Sequence, residues 1–198
     1  MVPMPISEIG LLRLKPTASL SDPDLQKRLT DVQSHLSAFT GHPFHYFRQV
    51  EDPSLLYLLG QWASLESHYQ GMHGSDEWKK GVAEMGSCFS FQWMAHYDFL
   101  LDRLRPGAVV LEVHRFIMKT EARDQFDQQR TKATAGEAGG AEGHVVGGWK
   151  VDAKEGEEEY TVILAVENAD KRSPLSERYD HLEQFADRAD RHLIRKFI

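Results

Sequence analysis

Residues 55–78, LLYLLGQWASLESHYQGMHGSDEW, carry the strongest structural signal in the chain. The first eight of them, LLYLLGQW, are apolar on both alternating faces, a pattern typical of a strand buried on both sides. Ser64 follows this strand and is placed to cap a helix, and Ser75 with Asp76 restarts that helix after Gly74. The stretch therefore predicts a buried strand over 55–63 that leads directly into a helix.

The segments on either side complete a recognisable order of elements. A strand is predicted over 6–16, and SDPD at 21–24 predicts a helix start, capped by Ser21 or Asp22. That helix ends at Gly41 and carries one apolar stripe at helical spacing: Leu25, Leu29, Val32, Leu36 and Phe39. Strands over 42–50 and 89–100 complete the order β-α-β-β-α-β, the split ferredoxin-like unit.

The same order begins again after LRPG at 104–107. Strands are predicted over 108–119, 144–152 and 160–168, and a helix over 121–135. A long helix is predicted from SPLSER at 173–178, with the stripe Leu175, Tyr179, Leu182, Phe185, Ala189 and Leu193, before a short closing strand within 193–198. The sequence thus predicts an α+β protein with two tandem ferredoxin-like units, 1–104 and 105–198. Their apolar sheet faces would form an intramolecular α+β barrel with helices outside.

Composition excludes several classes of function. The net charge is −7, and no stripe of Lys and Arg marks a nucleic-acid-binding face. No apolar run reaches the roughly 18 residues that a membrane-spanning helix needs. The single cysteine, Cys88, excludes an intramolecular disulfide and a multi-cysteine zinc site. The N-terminus lacks the basic-then-apolar pattern of a signal peptide, so a cytoplasmic location is expected.

Residues 57–78 also suggest a family. The order strand-Trp-x-Ser-x-x-x-His-helix, from Trp62 to His68, resembles the signature of the antibiotic biosynthesis monooxygenase (ABM) family, within the dimeric α+β barrel superfamily. The resemblance is best over residues 6–100. It implies a barrel normally made by two chains and here fused into one, as a monomeric pseudo-dimer or a homodimer. The second half lacks the tryptophan at the equivalent strand end.

Two histidines are the candidate catalytic residues. His68 lies early in the helix after Trp62, and His96 lies on the strand SFQWMAHYDF with Asp98 on the same face. Histidine is the usual group for proton transfer near neutral pH. A structural role, such as a hydrogen bond to a backbone carbonyl, is the alternative for each.

Aromatic residues and one further histidine are the candidate substrate-binding residues: Trp62, Trp78, Trp93, Tyr97 and His114. Large aromatic side chains also supply buried area, which is the structural alternative for Trp62. His114 shares a strand face with Glu112, where the two either pair with each other or line a pocket. No metal site is predicted, because the chain has no HExxH-type motif. The glycine-rich loop over 135–143 matches no phosphate-binding motif and is interpreted as a linker.

The residues and the resemblance together predict a small-molecule enzyme. By resemblance it is a cofactor-independent monooxygenase that deprotonates a phenolic or polyketide-derived aromatic substrate through His68 or His96. The same base could serve a cyclisation or a decarboxylation. The alternative from another class is a non-catalytic barrel that binds a ligand, or haem through His68, His96 or His114.

Overall fold

The computed structural model describes residues 4–72, 76–105, 107–119, 121–134, 144–167 and 174–198. The chain divides into two compact units, residues 1–96 with 196–198, and residues 97–195. The predicted spans, 1–104 and 105–198, place the boundary several residues later and leave the last three residues in the second half. Within the described residues, no helix is both long enough and apolar enough to cross a membrane.

Unit 1 has the predicted β-α-β-β-α-β order. Its elements are β1 (Ile6–Leu14), α1 (Pro23–Thr40), β2 (His45–Gln49), β3 (Leu55–Trp62), α2 (Asp76–Cys88) and β4 (Phe89–Tyr97). The strand order is β4-β1-β3-β2, and β1 and β3 pair antiparallel from Ile6 opposite Trp62 to Arg13 opposite Leu55. This is the ferredoxin-like arrangement that the element order predicts.

The caps of α1 are those expected from the sequence. The Asp22 side chain accepts a hydrogen bond from the Asp24 amide at 2.9 Å, and Pro23 occupies the first turn. Gly41 adopts φ 76° and its amide donates to the Ser37 carbonyl at 3.0 Å. A left-handed conformation is cheap only for glycine, so Gly41 ends the helix here. The helix then packs on the sheet through Leu25, Leu29 and Leu36, each at most 2% exposed.

Unit 2 repeats the topology with shorter helices. Its elements are β5 (Val110–Met118), α3 (Arg123–Thr134), β6 (Val145–Trp149), β7 (Glu159–Ala165), α4 (Pro174–Glu177) and β8 (Ala186–Lys196). The strand order is β8-β5-β7-β6, again the ferredoxin-like order. Its interior is filled by a compact apolar cluster that includes Phe116, Phe126, Tyr160, Tyr179 and Leu182. The predicted linker loop, 135–143, lies outside the described residues.

The prediction of a long helix that begins at residue 173 is wrong. Helix α4 has four residues, a 3-10 segment covers Asp180–Phe185, and β8 begins at Ala186. Strand β8 pairs with β5 along its length, from Met118 opposite Ala186 to Val110 opposite Arg195. A ladder of backbone hydrogen bonds to the otherwise open side of β5 outweighs a helical apolar period, because unpaired strand edges leave N–H and C=O groups unsatisfied. Tertiary pairing therefore overrides the local pattern.

Candidate active site

A buried carboxylate on β1 organises the polar centre of unit 1. Glu8 is 3% exposed. Nε1 of Trp62 donates a hydrogen bond of 2.8 Å to Oε2 of Glu8. Nε2 of His68 and Nε2 of His96 each lie 3.4 Å from the same oxygen. Because a buried carboxylate is costly unless polar groups surround it, these three ring nitrogens are what makes Glu8 tolerable inside the fold.

Four elements bring these residues together. Glu8 is the third residue of β1 and lies opposite Gly60 of β3. Trp62 ends β3, and His96 is near the end of β4. His68 lies in a π-helical segment, Ser67–Met72, which precedes α2. Single π-helical turns are frequent at functional sites.

The turn that places His68 is fixed by two serines. The Ser67 amide donates to the Ser64 hydroxyl at 3.1 Å, and the Ser64 amide donates to the Ser67 hydroxyl at 3.1 Å. This reciprocal arrangement satisfies amides at a helix start in the manner of a capping box. The predicted capping role of Ser64 is confirmed.

The aromatic rings of the cluster stack closely on one another. The ring of His68 lies 4.5 Å from that of Trp62 and 4.7 Å from that of His96, measured between centroids. Both histidines are at most 1% exposed. Three of the predicted site residues, Trp62, His68 and His96, therefore lie in one cluster around Glu8.

A cavity of about 590 Å³ adjoins this cluster, and Glu8 and His68 form part of its wall. Gly10 of β1 faces the same cavity, whose other walls are mostly apolar and include Leu12, Val32, Leu58, Met85, Phe89 and Met94. Cavities of this size, apolar with a few polar groups, are typical of small-molecule sites. The lining thus offers space for a ligand of two or three rings beside a carboxylate and an imidazole.

Tyr46 of β2 also lines the cavity. Burial raises the pKa of its hydroxyl far above the ordinary value, and the negative charge of Glu8 adds to the shift. Because desolvation disfavours the phenolate, burial favours the neutral hydroxyl of Tyr46. It is therefore a polar group of the lining that carries no charge.

The remaining predicted residues of unit 1 lie elsewhere. Trp93 is on the opposite face of β4 from His96 and packs edge-on against Tyr57, with ring centroids 6.2 Å apart. The side chain of Trp78 lies outside the described residues. Asp98, the predicted partner of His96, instead accepts a hydrogen bond of 2.6 Å from the Trp149 amide. The carboxylate beside His96 is Glu8, from another strand.

Tyr97 belongs to a buried ion-pair network of unit 2. Its hydroxyl donates to Glu159, and Arg115 donates to both oxygens of Glu159 at 2.8 and 2.9 Å. Burial raises the pKa of the Tyr97 hydroxyl, and the charge of Glu159 raises it further. The network satisfies its own charges and gives Tyr97 a structural partner.

His114 pairs with Glu112 in unit 2, which is one of the two arrangements expected from the sequence. Nε2 of His114 lies 3.1 Å from Oε1 of Glu112, and the Ser176 hydroxyl donates to the same oxygen at 2.7 Å. Burial alone would raise the pKa of Glu112. Hydrogen bonds from His114 and Ser176, with the charges of His114 and Arg191, hold that pKa below its usual range.

The two buried glutamates occupy equivalent places. Strands β1 and β5 each have nine residues, and Glu8 and Glu112 are the third residue of each. The fifth residue is Gly10 in β1 and His114 in β5. In unit 2 the side chain of His114 therefore occupies the position equivalent to Gly10. In unit 1 this position has no side chain, and the cavity lies there.

The Glu8 cluster also has the composition of a metal site. Among the described residues, Glu8, His68 and His96 form the one group of three potential ligands whose ligand atoms all lie within 4.8 Å of one another. Two histidines and a carboxylate are ligands suited to zinc and other transition metals. The absence of a metal stays a prediction, and chelation is the way to test it.

Glu8 is the functional residue that sequence reasoning missed. Its signal was present, because a lone glutamate in the apolar strand ISEIGLL must find partners if the strand is buried. The same reasoning selected Glu112 in unit 2. Tyr46 gave no such signal, since tyrosine is an ordinary strand residue. The signal at Gly10 is a glycine inside a strand, which often marks the close approach of a ligand or of another backbone.

Comparison with known proteins places the fold but not the family. No protein-family model matches the chain, and no curated protein matches its sequence. Solved structures do match over nearly the whole chain. A candidate monooxygenase from Fusobacterium nucleatum is 9% identical with a TM-score of 0.70, covering 100% of this chain and 94% of its own.

Two further structures show the range of proteins that share this fold. An anthrone oxidase-like protein is 10% identical with a TM-score of 0.62, covering 98% of this chain and 92% of its own. A haem-binding protein from Thermus thermophilus is 9% identical with a TM-score of 0.59, covering 98% and 91%. At such identities the likeness extends to the fold and not to the reaction. The predicted fold class, an α+β protein with two tandem ferredoxin-like units, is confirmed.

Proposed function

We propose that unit 1 is a small-molecule monooxygenase of the ABM type, which oxygenates a phenolic aromatic substrate without an organic cofactor. The observation that carries this proposal is the buried Glu8–His68 pair in the wall of an apolar cavity of about 590 Å³. The cavity walls take up an aromatic ring system and exclude water. The imidazole is the proton acceptor, and the carboxylate stabilises the imidazolium that forms.

His68 is the base in this proposal because it lines the cavity. His96 lies behind it, 4.7 Å away between ring centroids and 3.4 Å from the same Glu8 oxygen. His96 is therefore a positioning residue that shares the carboxylate with the base. Trp62 holds Glu8 through its N–H and closes one side of the imidazole.

The reaction uses O2 as the only oxidant. The imidazole of His68 takes a proton from the substrate, and the resulting carbanion-like anion gives one electron to O2. The two radicals combine to form a C–O bond, and the peroxide anion takes the proton back from the imidazolium. Loss of one water converts a ring CH2 into C=O, so the substrate supplies all four electrons and keeps one oxygen atom. A cyclisation or decarboxylation would use the same base without O2.

The test measures O2 uptake with anthrone as the probe substrate, in buffer with EDTA and with the uncatalysed rate subtracted. We expect turnover by the wild-type protein and a loss of about a hundredfold or more in His68→Ala, the typical contribution of a general base. His35, exposed on α1, supplies the matched control His35→Ala. Turnover by His68→Ala at the wild-type rate would overturn the proposal, and so would wild-type turnover that occurs only when EDTA is left out of the buffer.

A second pair of variants tests the cavity itself. A methyl group at Gly10 would meet Leu58 no closer than 3.8 Å, so Gly10→Ala is tolerated. The longer side chain in Gly10→Leu would extend into the cavity and is expected to abolish turnover with little loss of stability. Equal activity of the two variants would place the reaction elsewhere.

Haem binding is the second candidate, because one similar structure is a haem-binding protein. The described residues do not fit haem well. Nε2 of His68 and of His96 both lie against Glu8, and the described part of the lining offers one cation, Lys79, for two haem propionates. We therefore expect the Soret band of free haem to stay unshifted when the purified protein is added, and a saturable Soret shift would favour this candidate instead.

A further inference from the structure

One lysine lies among the few polar groups of the unit 1 cavity. In the described part of the lining, four residues carry polar side chains: Glu8, Tyr46, His68 and Lys79. Glu8 and Tyr46 come from the sheet, whereas Lys79 lies in the first turn of α2. The cavity therefore has a carboxylate on its sheet wall and a lysine, whose side chain is 62% exposed, on its helix wall.

The partner that Lys79 has in this structure is weak and exchangeable. Nζ of Lys79 lies 3.5 Å from Oδ1 of Asp76, and the two side chains are 62% and 99% exposed. Exposed pairs of this kind contribute little to stability. Because charge pairs are stronger where water is excluded, an anion held against the apolar walls could take the place of Asp76 as the partner of Lys79.

Charge balance gives Lys79 a role in the proposed reaction. Proton transfer from a phenol to His68 creates an anion and an imidazolium. Glu8, 3.4 Å from His68, is the counter-charge of the imidazolium. The substrate anion then lies among apolar walls, where an uncompensated charge is costly. Lys79 is the one ammonium or guanidinium group in the described lining that can balance it.

We propose that Lys79 makes this cavity selective for aromatic anions, either a phenolate formed in place or a ligand that carries a carboxylate or sulfonate. The inference rests on the proposed function in its choice of cavity and of a substrate that becomes an anion. It adds the chemical class of ligand and a residue that determines specificity. Binding alone can test it, without turnover.

The experiment compares two fluorescent probes that share one ring system. One is 1-anilinonaphthalene-8-sulfonate, an anion, and the other is N-phenyl-1-naphthylamine, which lacks the sulfonate. Lys79→Gln removes the cation. Lys80→Gln is the matched control, since Lys80 lies outside this cavity's lining and is 4.0 Å from Glu84. Gly10→Leu fills the cavity and reports whether the probes bind there.

We expect Lys79→Gln to weaken binding of the sulfonate about fivefold, the effect of one partly exposed charge pair. Binding of the uncharged probe should not change, and Lys80→Gln should change neither. Equal affinities of Lys79→Gln and wild type for the sulfonate overturn the proposal, as does an equal loss for both probes. Sulfonate binding that survives Gly10→Leu, or that does not saturate in the wild type, overturns it as well.

The outcome is independent of catalysis. If anthrone is not turned over but the sulfonate preference depends on Lys79, the proposed monooxygenase activity fails and the anion site stands. If anthrone is turned over and Lys79→Gln has no effect on either probe, the activity stands and the anion site fails.

Discussion

Replacing Glu8 by glutamine isolates the contribution of one negative charge to the candidate site. Glutamine has nearly the same shape, and its carbonyl oxygen can still accept the 2.8 Å hydrogen bond from Trp62. What it removes is the charge 3.4 Å from Nε2 of both His68 and His96. An opposite charge this close stabilises a charged group by about 1.5–3 kcal/mol. Losing that stabilisation of an imidazolium slows proton transfer by roughly tenfold to a hundredfold, since 1.4 kcal/mol is a factor of ten.

The assay is O2 uptake with anthrone as a function of pH, at fixed ionic strength. In Glu8→Gln the plateau rate should fall, because the imidazolium that forms on His68 has lost its counter-charge. Glu112→Gln makes the same change at the equivalent strand position of unit 2 and should leave turnover unaltered. A wild-type plateau rate in Glu8→Gln would refute the reasoning. So would an equal loss of rate in both variants, because the effect would then follow from stability.

Two predictions concern stability. A methyl group at Gly60 would lie 2.0 to 2.3 Å from three ring atoms of Phe44, so Gly60→Ala overpacks the sheet. We expect Gly60→Ala to lower the free energy of unfolding by about 1–3 kcal/mol and Tm by roughly 3 to 10 °C. Gly10→Ala should change neither quantity measurably. Equal Tm values for the two variants would contradict this prediction. For Glu112, whose folded-state pKa is depressed, the stabilisation is present above the unfolded-state pKa and is lost as pH falls through the folded value. The difference in unfolding free energy between wild type and Glu112→Gln should therefore be largest near pH 7 and shrink below about pH 4, as measured by urea denaturation; a difference independent of pH would be the contrary result.

Local sequence signals predicted the elements whose ends are marked by capping residues. Asp22, Pro23 and Gly41 mark both ends of α1, and Ser64 marks the turn after β3, because caps depend on a few adjacent residues. The doubled order of elements then predicted the fold, since a split β-α-β-β-α-β unit has few ways to pair its strands.

Contacts distant in the chain were harder to predict. Most of strand β8 was predicted as a helix, with a strand only within 193–198, because its apolar period is helical and its pairing partner, β5, lies far away in sequence. For the same reason His96 was paired with Asp98, its near neighbour, although its carboxylate is Glu8 of another strand. Contacts between side chains of different strands leave no periodic pattern in the sequence. The cavity depends on Gly10, and the only sign of it in the sequence is the missing side chain at that position.

Residues 197 and 198 pair with Tyr46, a residue of the cavity lining. The Phe197 amide donates to the Tyr46 carbonyl at 2.8 Å, and the Tyr46 amide donates to the Ile198 carbonyl at 3.0 Å. Both residues pack into the apolar cluster beneath Tyr46. A fragment of residues 1–104, excised as an independent catalytic module, would therefore lack a segment that pairs with Tyr46.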